Sequence, residues 1–194
     1  MDAGEFLSRL KRGAFVDPPL AELRGGRPAR ARPAAGQAAV VLRRLEQQLA
    51  QVVGNSGSAV YYRPLVRVGP ADVWRPPLAL APTRVTATPA LVWGTFEAAK
   101  ALLIVEIGDD GAALDRAAGY AAAGVPELWL LSLCQGWTVR YRSPWAGGFA
   151  SRTLWYPGEG VPLVALGSAH VEALERGYSP AHPLAGGPDC GGRP

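Results

Sequence analysis

Residues 101–108, ALLIVEIG, form an apolar run broken by a single acid, Glu106. A run of this kind reads as a strand buried on both faces, and such strands belong to parallel sheets covered by helices. The residues that follow agree. Asp109 or Asp110 can cap a helix over 112–123, Gly124 stops it, and Pro126 lies two residues beyond. PELWLLSLC, residues 126–134, is then a second buried strand. Strand, helix and strand of these lengths make a βαβ unit at about 101–134 with parallel strands and a right-handed crossover. The class is therefore α/β.

Glu106 stands out because a carboxylate in a buried strand is costly unless it has a partner, a metal or a way to the sheet edge. Alternation puts it on the same face as Ile104 and Gly108. Two readings stay open here. One pairs Glu106 with Arg116, one to two turns into the next helix. The other makes Glu106 a ligand of a hard cation such as magnesium, where strand ends meet helix starts.

The rest of the chain supplies a frame for this unit. Residues 5–12 suggest a short amphipathic helix stopped by Gly13. Residues 21–33 suggest two edge strands around Gly25-Gly26, with Pro28 and Pro33 suited to an edge. Arg24, Arg27, Arg30 and Arg32 of this stretch are the densest basic cluster, suited either to a phosphate backbone or to blocking edge pairing. In 37–53, Val41, Leu42, Leu45, Leu49, Val52 and Val53 recur at helical spacing, and Gly54 follows. Residues 59–68 alternate as one strand with Arg63 and Arg67 on one face, and 76–81 form another extended piece. WTVRYRS and FASRTLWY, joined by PWAGG, read as an antiparallel hairpin extending the sheet. A last helix is expected over 168–176, capped by Ser168, with His170 on its exposed side. Residues 1–177 are expected to form one domain, and 178–194 a Gly- and Pro-rich flexible tail.

Composition narrows the function classes. No window approaches the roughly 18 apolar residues that a membrane span needs, and the first residues lack the basic and apolar regions of a secretory signal. The two cysteines, Cys134 and Cys190, build neither a disulfide framework nor a zinc site by themselves, and Cys134 reads as a small core residue. These features point to a cytoplasmic protein with no membrane partner. The net charge of +4 is carried almost wholly by arginine, since Lys11 and Lys100 are the only lysines. A mild positive field suits nucleic acid as well as a plain solvated surface. No phosphate loop, dinucleotide fingerprint, H-E-x-x-H or C-x-x-C is present. Neither His170 nor His182 falls in a segment suited to catalysis.

LLIVEIG followed by DRAAGYAAAGVPELWLL, and above all the unbroken stretch from Ala123 to Leu130, resembles the Uma-type family of endonucleases. That family belongs to the PD-(D/E)XK, restriction-endonuclease-like superfamily. The resemblance spans about 5–175 and implies a restriction-endonuclease-like fold, with a mixed β-sheet flanked by helices. It assigns the site to Glu106, Arg116 and Tyr120, with Glu106 as the metal ligand and Mg2+ as the cofactor of an active member.

Several family positions are altered. The family's Pro-Asp before the buried Glu strand is Pro76-Pro77, its helix lysine is Arg116, its histidine at the start of the long helix is Gln37, and the loop after Glu106 is shorter. Two carboxylates hold a magnesium ion that activates water, so the change to Pro77 removes one of them. Arginine stays protonated and cannot act as a base. The resemblance thus implies a domain inactive or weak as a nuclease that keeps DNA or partner binding. Two alternatives stay open: an active Mg2+-dependent endonuclease using displaced carboxylates (Asp72, Asp109, Asp110 or Asp115), and a structural scaffold that oligomerises, for instance as a homodimer. Whether the chain is an enzyme is open at this point.

Overall fold

The computed structural model describes residues 1–15, 21–31, 34, 36–54, 56–83, 95–108, 111–167, 169–176 and 178. Asp109, Asp110, Ser168, Arg32 and the segment 179–194 lie outside them, as do the features expected there.

Helix α1 (Ala3–Lys11) is capped by the Asp2 side chain, which accepts from the Glu5 N–H, and buries Phe6 and Leu10. Strands β1 (Ala21–Arg24) and β2 (Arg27–Arg30) pair as the expected hairpin. Gly25 and Gly26 take positive φ in its turn, where other residues would be strained. Helix α2 (Gln37–Val53) buries Leu42, Leu45, Leu49 and Val53. The expected strand 59–68 is instead two strands, β3 (Ser58–Tyr62) and β4 (Leu65–Gly69), in different sheets. Between them Arg63 adopts φ +49° and Pro64 follows, so the chain turns out of one sheet and into the other. Alternation had carried straight through the break.

Next come β5 (Asp72–Trp74), β6 (Leu78–Pro82), β7 (Thr95–Glu97), β8 (Leu103–Ile107), α3 (Gly111–Ala122) and β9 (Glu127–Ser132). β8 and β9 are parallel, the pairing expected of the βαβ unit. β10 (Trp137–Trp145) and β11 (Gly148–Trp155) form the expected antiparallel hairpin, but β10 runs through Pro144 and Trp145, so the turn is tighter than PWAGG suggested. The expected last helix is absent from the described residues of that segment. His170–Glu172 form strand β13, paired with β12 (Gly160–Pro162). Val171 packs into the core and His170 points outward, so pairing with β12 wins over a helical pattern too short to be stable by itself. Cys134 lies half-buried in the turn after β9, not in the core, and is not a free thiol. Tyr178, expected in the tail, packs against the core and donates its hydroxyl to the Leu133 carbonyl at 2.9 Å.

Among the described residues the strands form a mixed six-stranded sheet, in the order β11-β10-β9-β8-β6-β3, and a five-stranded sheet, in the order β2-β1-β5-β4-β7. α2 and the β12–β13 pair cover one face of the six-stranded sheet through Leu78, Leu80, Leu103, Val105, Trp129 and Leu131. The other face carries Ala79, Ile104 and Leu128, and meets α3 through Ala117 and Tyr120 and the second sheet through Val66 and Phe96. α1 closes the far side of the second sheet. This is the α/β, restriction-endonuclease-like arrangement, with a mixed sheet flanked by helices. No helix among the described residues is long and apolar enough to cross a membrane.

Candidate functional site

Alternation along β8 sends Val105 to the α2 side and Glu106 to the α3 side, with Ile104. On α3, Arg116, Gly119 and Tyr120 are spaced i, i+3 and i+4 and share a face. The two elements meet at a compact cluster. The Tyr120 hydroxyl donates to Glu106 Oε1 at 2.7 Å, and Arg116 Nη2 lies 2.9 Å from the same oxygen and donates to the Tyr120 hydroxyl at 3.3 Å. The Glu106–Arg116 pair is thus direct, and Glu106 and Tyr120 are buried.

A second acid joins them from the hairpin. Glu22 on β1 is fully buried, and its Oε2 lies 3.8 Å from Arg116 Nη1. Its other oxygen accepts from the Arg24 guanidinium. Arg75 anchors the hairpin beside it, donating its side chain to the Ala21 carbonyl at 2.7 Å and to the Arg63 carbonyl at 3.1 Å. Sequence reading placed Glu22 in the hairpin but gave it no role. The chain offered only an acid flanked by Ala21 and Leu23, and the continuous burial of Ala21–Leu23 shows in the structure alone.

Trp74 shapes the approach to the cluster. Its ring meets Tyr120 edge-on, with centroids 5.0 Å apart, and lies 5.3 Å from the Arg116 guanidinium carbon. Gly119 makes this possible, because a Cβ there would stand 2.3 Å from the indole. Asp72 Oδ1 accepts from the Gly25 N–H at 2.8 Å and from Trp74 Nε1 at 3.3 Å, tying the hairpin turn to the indole. A cavity of about 190 Å³ opens here, lined by Arg24, Asp72, Trp74, Asp115 and Arg116. A larger hollow of about 500 Å³ between α2 and β13, which includes His170, contains none of Glu106, Arg116 or Tyr120.

Electrostatics follow from burial and pairing. Burial pushes the Glu106 carboxyl above its ordinary value, against the pull of Arg116 and of the Tyr120 hydrogen bond. Burial works most strongly against the Arg116 charge, but Glu106, Tyr120 and Glu22 together outweigh it and hold the guanidinium above its usual range. Tyr120 is held well above 10 by burial and then by Glu106, so it serves as a neutral donor. Arg75, desolvated and facing Arg63, is lowered to about 10.

Pro77 can be located through the β6–β8 ladder. Leu78 pairs with Val105 and Ala79 with Ile104, so one step further brings Pro77 level with Glu106. Gln37 is exposed on the first turn of α2, away from the cavity lining. Of the displaced carboxylates, Asp72 and Asp115 reach the cavity wall, with Asp72 engaged by Gly25 and Trp74. Among the described residues no group of three or more His, Cys, Asp or Glu is placed to hold a metal.

A magnesium site needs carboxylate oxygens facing an open position of nearly octahedral shape. Here the two buried carboxylates, Glu106 and Glu22, both face the Arg116 guanidinium, and Pro77 offers no ligand. The residues present do not fit the ion.

Comparison with known proteins places the fold. No family model and no curated protein matches the chain. A crystal structure from Anabaena variabilis ATCC 29413, described as a putative nuclease belonging to DUF820, superposes with a TM-score of 0.69 at 14% identity, covering 89% of this chain and 95% of that one. At that identity the likeness is one of fold.

Proposed function

We propose that this chain is a nuclease-fold protein of the Uma type that binds DNA without cutting it at a useful rate. The observation that carries this reading is Arg116, whose guanidinium faces both Glu106 and Glu22 in the cluster where a divalent ion would need free carboxylate oxygens. A permanently protonated side chain there can neutralise charge but cannot take a proton from water. Pro77 in place of an acid beside Glu106 points the same way. DNA binding is supported by Arg24 at the cavity and by Arg27 and Arg30, exposed on β2 at the sheet edge, in a chain of net charge +4. Arginines in such a place suit phosphate contacts, which position a duplex without reading its sequence.

Two measurements test the proposal. Wild type and Glu106→Ala should be indistinguishable in cleavage of duplex DNA with magnesium or manganese. Binding to generic duplex should weaken steeply with salt, and the slope should flatten by about one charge for each of Arg27→Ala and Arg30→Ala. Metal-dependent cleavage abolished by Glu106→Ala would make the chain an active endonuclease. Salt-independent or absent DNA binding would favour a scaffold role.

A further inference from the structure

We infer that Arg116 is a built-in replacement cation, held between two acids, and that Glu22, not a residue on β6, is the second acid of this site. The inference deepens the reading of a disabled nuclease centre and does not depend on DNA binding, since its readout is cation occupancy.

Three observations support it. Glu22 and Glu106 come from different sheets, are both buried, and are close enough for Glu22 to disfavour the charge on Glu106. Two such carboxylates repel each other unless a cation neutralises them. Arg24 pairs with Glu22 alone, whereas the Arg116 guanidinium reaches both acids in forked geometry, one terminal nitrogen toward each, at 2.9 Å from Glu106 and 3.8 Å from Glu22. Arg116 is also fixed from outside the acid pair, by the Trp74 ring and the Tyr120 hydroxyl. Its Nε is buried with no hydrogen-bond partner among the described residues, so the side chain is placed by its two terminal nitrogens and by the ring.

The chain as it stands should therefore exclude divalent cations from the cluster, and shortening Arg116 should leave a place for a small soluble cation. Wild type, Arg116→Ala, Arg116→Lys, Glu106→Gln and the double variant Arg116→Ala with Glu22→Gln are melted in EDTA, in manganese and in methylguanidinium, with manganese binding followed by electron paramagnetic resonance.

Wild type should bind no manganese that Glu106→Gln abolishes, and its melting temperature should not respond to either cation. Arg116→Ala should melt roughly 10 °C lower in EDTA, as expected when buried charges lose their partner. It should regain part of the difference in methylguanidinium or manganese, and the added Glu22→Gln should remove that recovery. Arg116→Lys, which keeps one charge but cannot fork between two acids, should melt between the two. Manganese binding by wild type that requires Glu106 would overturn the inference whether or not Arg116→Ala folds. So would an Arg116→Ala protein that responds to neither cation, a recovery indifferent to Glu22→Gln, or an Arg116→Lys protein as stable as wild type.

Discussion

The two parallel strands of the βαβ unit each carry one buried glutamate, and the two are built differently. Glu106 sits toward the carboxyl end of β8, on the face that meets α3, and its partners Arg116 and Tyr120 both come from α3, with Arg116 also reaching Glu22 on the hairpin of the second sheet. Glu127 sits at the amino end of β9, on the opposite face with Trp129. It accepts from Trp129 Nε1 at 2.7 Å and lies 3.9 Å from Arg140 and from Arg142 on the adjacent strand β10. Glu127 is thus satisfied chiefly by its own strand and its neighbour, with a backbone hydrogen bond from Val164 added from outside the sheet. Glu106 is satisfied from α3, packed on its face of the sheet, by Tyr120 and by an arginine shared with Glu22 of the hairpin, beside a cavity and at the strand ends where open α/β sheets place their sites. Of two buried acids in one motif, the one whose partners cross between elements marks the site.

The sharpest way to break this comparison is to remove the arginine from each cluster. Arg116→Met strands the buried Glu106, while Glu22 keeps Arg24, and should cost about 3–5 kcal/mol in denaturant unfolding. Arg140→Met leaves Glu127 its indole bond and Arg142, and should cost distinctly less, about 1–2 kcal/mol. Equal losses would dissolve the distinction.

A second variant acts on the cavity side alone. Gly119→Ala drives a methyl group into the Trp74 ring and should cost about 1–3 kcal/mol. It should also shift the indole fluorescence, while leaving the Glu127 cluster untouched.

The pH dependence should share its sign in both clusters. Burial raises both carboxyls above the ordinary 4.5, so just above that pH the folded chain holds more protons than the unfolded chain. Stability then falls as pH rises from 4.5 through the raised folded values. Glu106→Gln and Glu127→Gln should each flatten that fall in melts taken across the window. A steeper fall in either variant would mean that folding lowers that carboxyl instead of raising it.

The smallest expected effect lies away from both glutamates. Tyr178→Phe removes one hydrogen bond to the Leu133 carbonyl and should cost about 1 kcal/mol. No loss at all would restore the reading of that residue as part of a free tail.

Much of the fold was legible along the chain. The apolar run with one acid, the helix between two such runs, and the Gly-Gly hairpin are local signals, and each became the expected element. The failures were also local in origin. Alternation through Arg63 and Pro64 hid a passage between sheets, and a short stretch of helical spacing at 168–176 concealed β13. At the site, Glu106 and Arg116 could be named from the chain's own pattern and Tyr120 from the family resemblance, whereas Glu22 and Trp74 could not, because each reaches the cluster from an element remote in sequence.

By itself, then, the sequence determined the βαβ unit, the face on which Glu106 lies, and the presence of an arginine within reach of it. Hydrophobic periodicity and caps act over a few residues, and they settle which side of an element is buried. Only the tertiary structure decided that β1 would bring Glu22 against the same guanidinium, that Gly119 would admit the Trp74 ring, and that Pro77 would stand level with Glu106. Those contacts depend on which sheets stack and in what register, and packing of the whole chain sets that, not the preference of any one segment.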